Sequence, residues 1–285
     1  MTILWSGLAL GAVYALVAIG YNIVFVSSNT FNFAQAQLMM VGTFVAYAGL
    51  VTWQLPVVVV VILAAVVVGL VAGVEDLVAV WPVKDRHTQL VTTLGVATLL
   101  GGACQLIWGS EPLTVPFLSY DDPIGFLGGR TYPVELALIA AAILLVILLS
   151  WFGKRTVMGL ALMGISEDRE AATLRGVNVR RLALGAFAFS GVLAGVLGIL
   201  VGPKTFAVAT LGTALAIKGF VALAIGGFGS LVGSVIGGFT VGLVEAFSAL
   251  HLGAQYSSLM VFAVLIVLLL VRPTGLFGRV GERVV

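Results

Sequence analysis

The side chains able to do chemistry are few and unevenly placed. Cys104 is the one thiol, which excludes an intrachain disulfide framework and fits no metal-ligand cluster. The two histidines, His87 and His251, fall in turns, where a solvated role outweighs a catalytic one. No catalytic constellation and no metal site can be assembled from this set, and the chain has no G-x-x-x-x-G-K-[ST] phosphate loop. What remains is charge. Residues 166–181, SEDREAATLRGVNVRR, hold seven of the 26 charged side chains (14 Lys plus Arg and 12 Asp plus Glu). Ser166 reads as a helix N-cap, Glu167 and Asp168 put negative charge on the first turn, where the helix dipole favours it, and Gly176 suits a left-handed last turn. The pattern predicts a helix of two or three turns. So short a helix is marginal alone in water, so its Ala171 and Leu174 offer an apolar face to another surface. The alternative is a solvated loop.

A second set of polar residues lies inside apolar stretches. Glu245, about two turns inside its helix, is a functional candidate because an unpaired carboxylate is costly in lipid; its other reading is a helix–helix hydrogen bond. Glu75 and Glu135 fall near predicted span ends and read as interfacial, and Lys218 can snorkel. The run SSNTFNFAQAQ at 27–37 contains Asn32, Phe33, Gln35 and Gln37 but no charge, which suits a helix break lining a polar cavity at membrane depth. A matching interruption, AIGGFGS, contains Phe228, Gly229 and Ser230. Paired breaks in corresponding halves are a sign of a transporter with internal repeats and a pathway between them; Gly-rich breaks also arise from packing alone.

The elements that position these residues are membrane spans. Apolar residues make up 61% and charged residues 9%, and mean hydropathy is +1.19. Residues 57–74 carry no polar side chain. These values predict an all-α polytopic integral membrane protein of about eight or nine transmembrane or re-entrant helices. Predicted spans cover about 3–26, 38–54, 57–80, 89–108, 132–152, 182–201 and 255–271, with glycine-interrupted helices over 203–230 and 232–250. Gly233, Gly237, Gly238 and Gly242 form small-xxx-small pairs that allow close contact. The N-terminus lacks a basic n-region and an Ala-x-Ala site and reads as a first span. No stretch is large enough for a separate soluble domain, so 1–285 reads as one transmembrane domain. A net charge of +2 says little about partners, since the distribution of charge orients a membrane chain; no nucleic-acid partner is expected.

Charge bias orients the chain. Lys84, Arg86, Lys154, Arg155, Arg169, Arg175, Arg180, Arg181, Arg272, Arg279 and Arg283 are 11 of the 14 basic residues, which predicts that the turn at 81–88, the central stretch and the tail are cytoplasmic. The loop at 109–131, with Glu111, Asp121 and Asp122 against Arg130, is then external. Counting back places the N-terminus outside if every segment crosses.

Six blocks in order, ALVAIGYNIVF with FNFAQAQLMMVGTFVAY, VEDLVAVWPVKDRHTQLVTTLG, SEDREAATLRGVNVRRLALGAFAFSGVLAGVLG, GFVALAIGGFGSLVGSVIGGFTVGLVEAF and VRPTGLFG, resemble the LivH-type permease family of branched-chain amino acid ABC importers. Glu170-Ala171-Ala172 followed by Gly176 is similar to the EAA loop that such permeases present to their ATPase. The resemblance implies a cytoplasmic coupling helix near 166–178, carried by Glu167, Asp168, Glu170, Ala171, Ala172, Leu174, Arg175, Gly176 and Asn178. The paired breaks, with Glu245, predict a translocation pathway past Asn32, Phe33, Gln35, Gln37, Phe228, Gly229, Ser230 and Glu245. The resemblance also implies partners: a second homologous permease subunit, as a heterodimer or a pair of copies, two ATP-binding cassette ATPase subunits that hold ATP and Mg, and a periplasmic or extracellular substrate-binding protein. No cofactor belongs to this chain, and the implied location is the cytoplasmic (inner) membrane of a prokaryote. One departure stands out. Ala34-Gln35-Ala36 replaces the usual Ala-His-Gly, so an amide stands where the family has an imidazole, which bears on substrate identity. The implied substrates are branched-chain or related amino acids, with urea, short amides and other small solutes as alternatives. A carrier or channel independent of ATP, with an ion path through Glu245 and Lys218, is the reading from a different class.

Overall fold

A computed structural model describes residues 2–83, 85–118, 123–126 and 128–278. Lys84, Asp121, Asp122, Arg279 and Arg283, all used in the charge-bias reading, lie outside the described residues, as does the side chain of Arg86.

Eleven α-helices follow in order: α1 (Thr2–Ser28), α2 (Gln35–Tyr47), α3 (Val57–Glu75), α4 (Arg86–Trp108), α5 (Pro133–Arg155), α6 (Val157–Glu167), α7 (Arg169–Leu174), α8 (Val179–Thr205), α9 (Leu211–Gly226), α10 (Leu231–His251) and α11 (Ser257–Val271). Helices α2 and α3 each run on into a five-residue π-turn, Ala48–Thr52 and Asp76–Val80. A small hairpin, β1 (Ile124–Phe126) with antiparallel β2 (Gly129–Thr131), lies between α4 and α5. Among the described residues, eight helices are long and apolar enough to cross a membrane, and α6 and α9 are shorter apolar helices. The chain is therefore an all-α, multi-pass membrane protein.

Burial separates centre from periphery. The most apolar windows of α1 and α2 are 78% buried, whereas that of α11 is 11% buried. Glycine makes the centre possible. On α10, Gly238 and Gly242 lie against the backbones of Ala15 and Gly11 in α1, while Gly233 and Gly237 lie against Gly226 and Ala222 in α9. The two small-xxx-small pairs thus serve two different neighbours. Across the core, a Cβ on Gly198 of α8 would stand 2.8 Å from the Met39 carbonyl oxygen of α2, and one on Gly42 would stand 2.9 Å from that of Ala194.

The bundle has a basic end. Ser28 at the end of α1 meets Arg169, and Asp76 after α3 meets Arg180. At the opposite end the Arg130 amide donates to the Thr2 hydroxyl at 3.2 Å and Trp5 packs on Phe126. The N-terminus therefore shares an end with the loop at 109–131, as counting every segment as a crossing requires. Glu135 at the start of α5 is interfacial by position yet buried, paired with Lys204 and accepting from the Thr131 hydroxyl at 2.9 Å. Glu75 is a correction. It is 3% exposed, because the π-turn that follows adds a residue to the helical ladder and lets consecutive acids, Glu75 and Asp76, both turn inward. At the basic end Asp85 caps α4. Its carboxylate accepts from the Thr88 amide and hydroxyl, each at 2.8 Å, and these bonds hold its pKa below the usual carboxylate range.

The glycine contacts predict a contrast. Gly238→Val places a branched side chain against the backbone of α1 and is expected to lower stability by about 1–3 kcal/mol or more. Gly102→Ala, which meets nothing within 4 Å, is expected to be nearly neutral. Thermal unfolding in detergent checks both.

Candidate functional site: two helix breaks, a cavity and a terminal helix

The two interruptions predicted from sequence are real and adjacent. Helix α1 ends at Ser28 and α2 begins at Gln35; α9 ends at Gly226 and α10 begins at Leu231. Aromatic rings join them: Phe31 stacks on Tyr21 at 4.6 Å, meets Phe33 at 5.0 Å and Phe220 at 5.2 Å, and reaches Phe228 at 6.4 Å.

The second break depends on one amide. Asn22, fully buried in α1, accepts from the Gly229 amide at 2.8 Å and donates to the Ser230 carbonyl at 3.0 Å and the Ser234 hydroxyl at 2.6 Å. Asn22 lies six residues, or about 9 Å, before the end of α1, where unpaired backbone groups would be costly. Glycine is required here, since Gly227 and Gly229 have φ of 101° and 80°. The tail closes the break from the basic end, with the Leu276 amide donating to Ile225 and the Phe277 amide to Gly226, each at 2.9 Å.

A half-open cavity of about 580 Å³ lies between α2, α4, α9 and α11, with exposed Leu94, Ile217 and Phe262 at its rim. Phe33 and Phe220 belong to the aromatic cluster and also line it; Gln37, Thr98 and Thr213 are its polar groups. Its lining carries no charge among the described residues. Gln37 donates to the Thr213 hydroxyl at 3.3 Å, and its buried Oε1 has no partner among the described residues.

The sequence-predicted pathway residues divide on this geometry. Phe33 and Gln37 line the cavity, and Phe228 packs on Phe220, at 6.2 Å, beside it. Gln35 instead binds Ser190 of α8, accepting from its hydroxyl at 2.9 Å, so the amide joins two helices. Gly229 and Ser230 hold the break, the Ser230 hydroxyl capping α10 through the Gly233 amide at 3.0 Å. Asn32 is fully buried; its Oδ1 accepts from the Ala34 amide at 2.8 Å and its Nδ2 lies against the Glu75 carboxylate without closing a well-formed hydrogen bond. Glu245 pairs with Lys218 and accepts from the Tyr14 hydroxyl at 2.7 Å, so each of these intramembrane charges has the other as partner. Thr98, Thr213 and Phe220 were not singled out from sequence. The one available signal was that Thr213 and Phe220, seven residues apart, share a face of α9.

The charged stretch also folds differently in detail. Residues 157–167 form the separate helix α6, too short to register as a span. The Ser166 hydroxyl donates back to Met163 within it, and Glu167 is its last residue. The N-cap of α7 is Asp168, whose Oδ1 accepts from the Glu170 and Ala171 amides, each at 2.9 Å. Six residues form the helix proper, and Gly176, at φ 84°, terminates it as predicted. Ala172 points inward with Ile165 and Val179, whereas Leu174 is 89% exposed and Arg175 is exposed. Asn178, placed with the coupling helix by the sequence, instead caps α8 by accepting from the Arg181 amide at 3.0 Å.

Broken helices meeting beside an uncharged cavity, inside a multi-pass bundle, define a membrane transport protein. The chain belongs to the family described as the branched-chain amino acid transport system / permease component, whose model matches residues 3–269. It is 30% identical to the high-affinity branched-chain amino acid transport system permease protein LivH of Escherichia coli (strain K12), over 97% of this chain and 94% of that one. It is also 30% identical to BraD of Pseudomonas aeruginosa, over 96% and 94%. The ribose import permease protein RbsC of Haemophilus influenzae is 24% identical over 94% and 83%.

The Asn22 network yields a measurable expectation. Asn22→Ala leaves the Gly229 amide and Ser230 carbonyl without their side-chain partner, and is expected to cost about 1–3 kcal/mol. Unfolding in mixed micelles gives the loss, and faster proteolysis near residues 227–230 localises it.

Proposed function

We propose that this chain is a permease subunit of an ATP-binding cassette importer in the cytoplasmic (inner) membrane of a prokaryote, moving branched-chain or related amino acids delivered by an external binding protein. It works beside a second homologous permease subunit and two ATPase subunits, which hold the ATP and Mg. The basic end faces the cytoplasm, in keeping with charge bias. Helix α7 is the coupling helix: Asp168 caps it, Ala172 anchors it inward, and Leu174, Arg175 and the Ala171 side lie against the ATPase. Solute passes by Gln37 and Thr213 in the uncharged cavity, and the rings of Phe33, Phe220 and Phe228 close it toward the cytoplasm.

The observation that carries the reading is the exposed Leu174 on a capped, glycine-terminated helix at the basic end, in a chain that belongs to a permease family over nearly its whole length. An importer needs that surface and a channel does not. A carrier independent of ATP would set Glu245 and Lys218 on an ion path, but their pairing with each other gives both a structural use. The uncharged lining favours solutes with no net charge; urea and short amides share that property and remain the alternative substrates.

Leu174→Glu replaces the exposed apolar contact by a charge and is expected to weaken ATPase retention by about 1–2 kcal/mol, roughly five- to thirty-fold. Gly176→Val opposes the left-handed termination and is expected to lose uptake while remaining inserted. Co-purification of the ATPases and uptake in proteoliposomes measure the two effects; full retention with normal uptake in both would sink the coupling role. Orientation is checked in a Cys104→Ala background. Ser110→Cys is expected to react with an impermeant thiol reagent from outside intact cells, and Thr173→Cys only after the membrane is opened.

A further inference from the structure

Besides the packing of Ala172, two arginines near α7 reach the rest of the bundle: Arg169 is its first residue and Arg180 lies at the start of α8, just beyond it. The stronger connection is Arg180, second residue of α8, whose Nη1 pairs with Asp76 Oδ2 at 2.6 Å while its guanidinium lies 4.6 Å from the Trp81 ring centroid. Asp76 is almost fully buried. Asp76 Oδ2 and Arg180 Nη2 close no well-formed hydrogen bond among the described residues, so the pair is held by charge and by the ring from the same chain segment. The second connection is Arg169, first residue of α7, which donates to the Ser28 carbonyl at 3.4 Å. Ser28 is the last residue of α1, immediately before the break that carries Phe31 and Phe33.

Both connections lead to the same place. Asp76 opens the π-turn and Glu75 precedes it, so two consecutive carboxylates on one segment face different partners. Glu75 faces Asn32, which stands between Phe31 and Phe33. Neither Glu75 carboxylate oxygen nor Asn32 Nδ2 has a hydrogen-bond partner among the described residues, and all three atoms are buried. Buried polar groups are rarely left so. A small rotation would close a hydrogen bond between them, and an element with an open and a closed arrangement can be biased from a distance.

We propose that Arg180 and Asp76 form the linkage that carries movement of α7 into the aromatic break, with Glu75 and Asn32 as the contact that closes when the rings of Phe31 and Phe33 change position. Arg180, Asp76 and Glu75 are positioning residues: they touch neither solute nor nucleotide. Arg169 acts beside them as a second link to the same break. The inference rests on the importer reading given above.

The test uses the assembled importer in proteoliposomes with its binding protein and ATPases, and reads solute taken up per ATP hydrolysed. Arg180→Ala is expected to retain the ATPases and to hydrolyse ATP, but to lower uptake per ATP about ten-fold, within the range of coupling between distant sites. The exchange Arg180→Asp with Asp76→Arg is expected to recover at least half of the lost ratio, since the pair is restored with its charges reversed. Glu75→Met, which keeps the length of the side chain but removes both acceptors, reads the inner contact and is expected to lower the ratio in the same direction, so it decides the matter if Arg180→Ala does not fold. An unchanged ratio in Arg180→Ala or in Glu75→Met overturns the linkage, as does a fall in hydrolysis and uptake by equal factors. If the unaltered chain holds no ATPase, the importer reading itself fails, which is a separate result.

Discussion

Within a bilayer a backbone amide or carbonyl has no water to turn to, so every place where a helix stops must be closed by the protein itself. This chain stops α9 inside the bundle and closes that break with a buried amide from α1 and two amides from the tail. Asn22 holds both a donor and an acceptor of the Gly229–Ser230 backbone, which fixes the turn between α9 and α10 against α1. The contact surface between α1 and α10 follows from that, and glycine at 238 and 242 brings the two backbones together along it. The remaining helices take their places around this pair.

The same constraint governs the charges. Lys218 with Glu245, Lys204 with Glu135 and Arg180 with Asp76 each neutralise a carboxylate where solvent is scarce. The first two hold helices together and lie away from the cavity. The third stands where the basic end meets the bundle, beside a terminal helix whose outward residue is a leucine. Position therefore separates charge used for cohesion from charge that can carry movement. The cavity is left uncharged, with one amide and two hydroxyls among aliphatic and aromatic side chains.

Much of this was legible in the sequence, for identifiable reasons. Composition and unbroken apolar runs determined the class, since nothing else accounts for 18 residues without a polar side chain. The uncharged polar run at 27–37 and the glycines before Ser230 marked both breaks, and Gly176 marked the end of α7, because glycine alone is at ease at positive φ. The ordered blocks of the chain pointed to its family.

Other features depended on contacts between residues far apart in the chain. Glu245 and Lys218 read as a functional acid and a snorkelling base, or together as an ion path; the packing of α9 and α10 pairs them with each other. Glu75 read as interfacial because the π-turn that turns it inward leaves no mark in composition. Gln35 could as well have met a solute as a helix, and the nearness of Ser190 on α8 decided for the helix. Ser166 and Asp168 are both good N-caps, and the choice fell to Asp168 because α6 packs on α1 and α5 and carries Ser166 within it. The sequence by itself determined which segments are helical and where they break, since those are local matters of hydropathy and backbone freedom. Which polar groups meet, and which are left to line the cavity, was decided by tertiary structure, because a buried hydrogen bond or ion pair depends on distance in space and not on spacing along the chain.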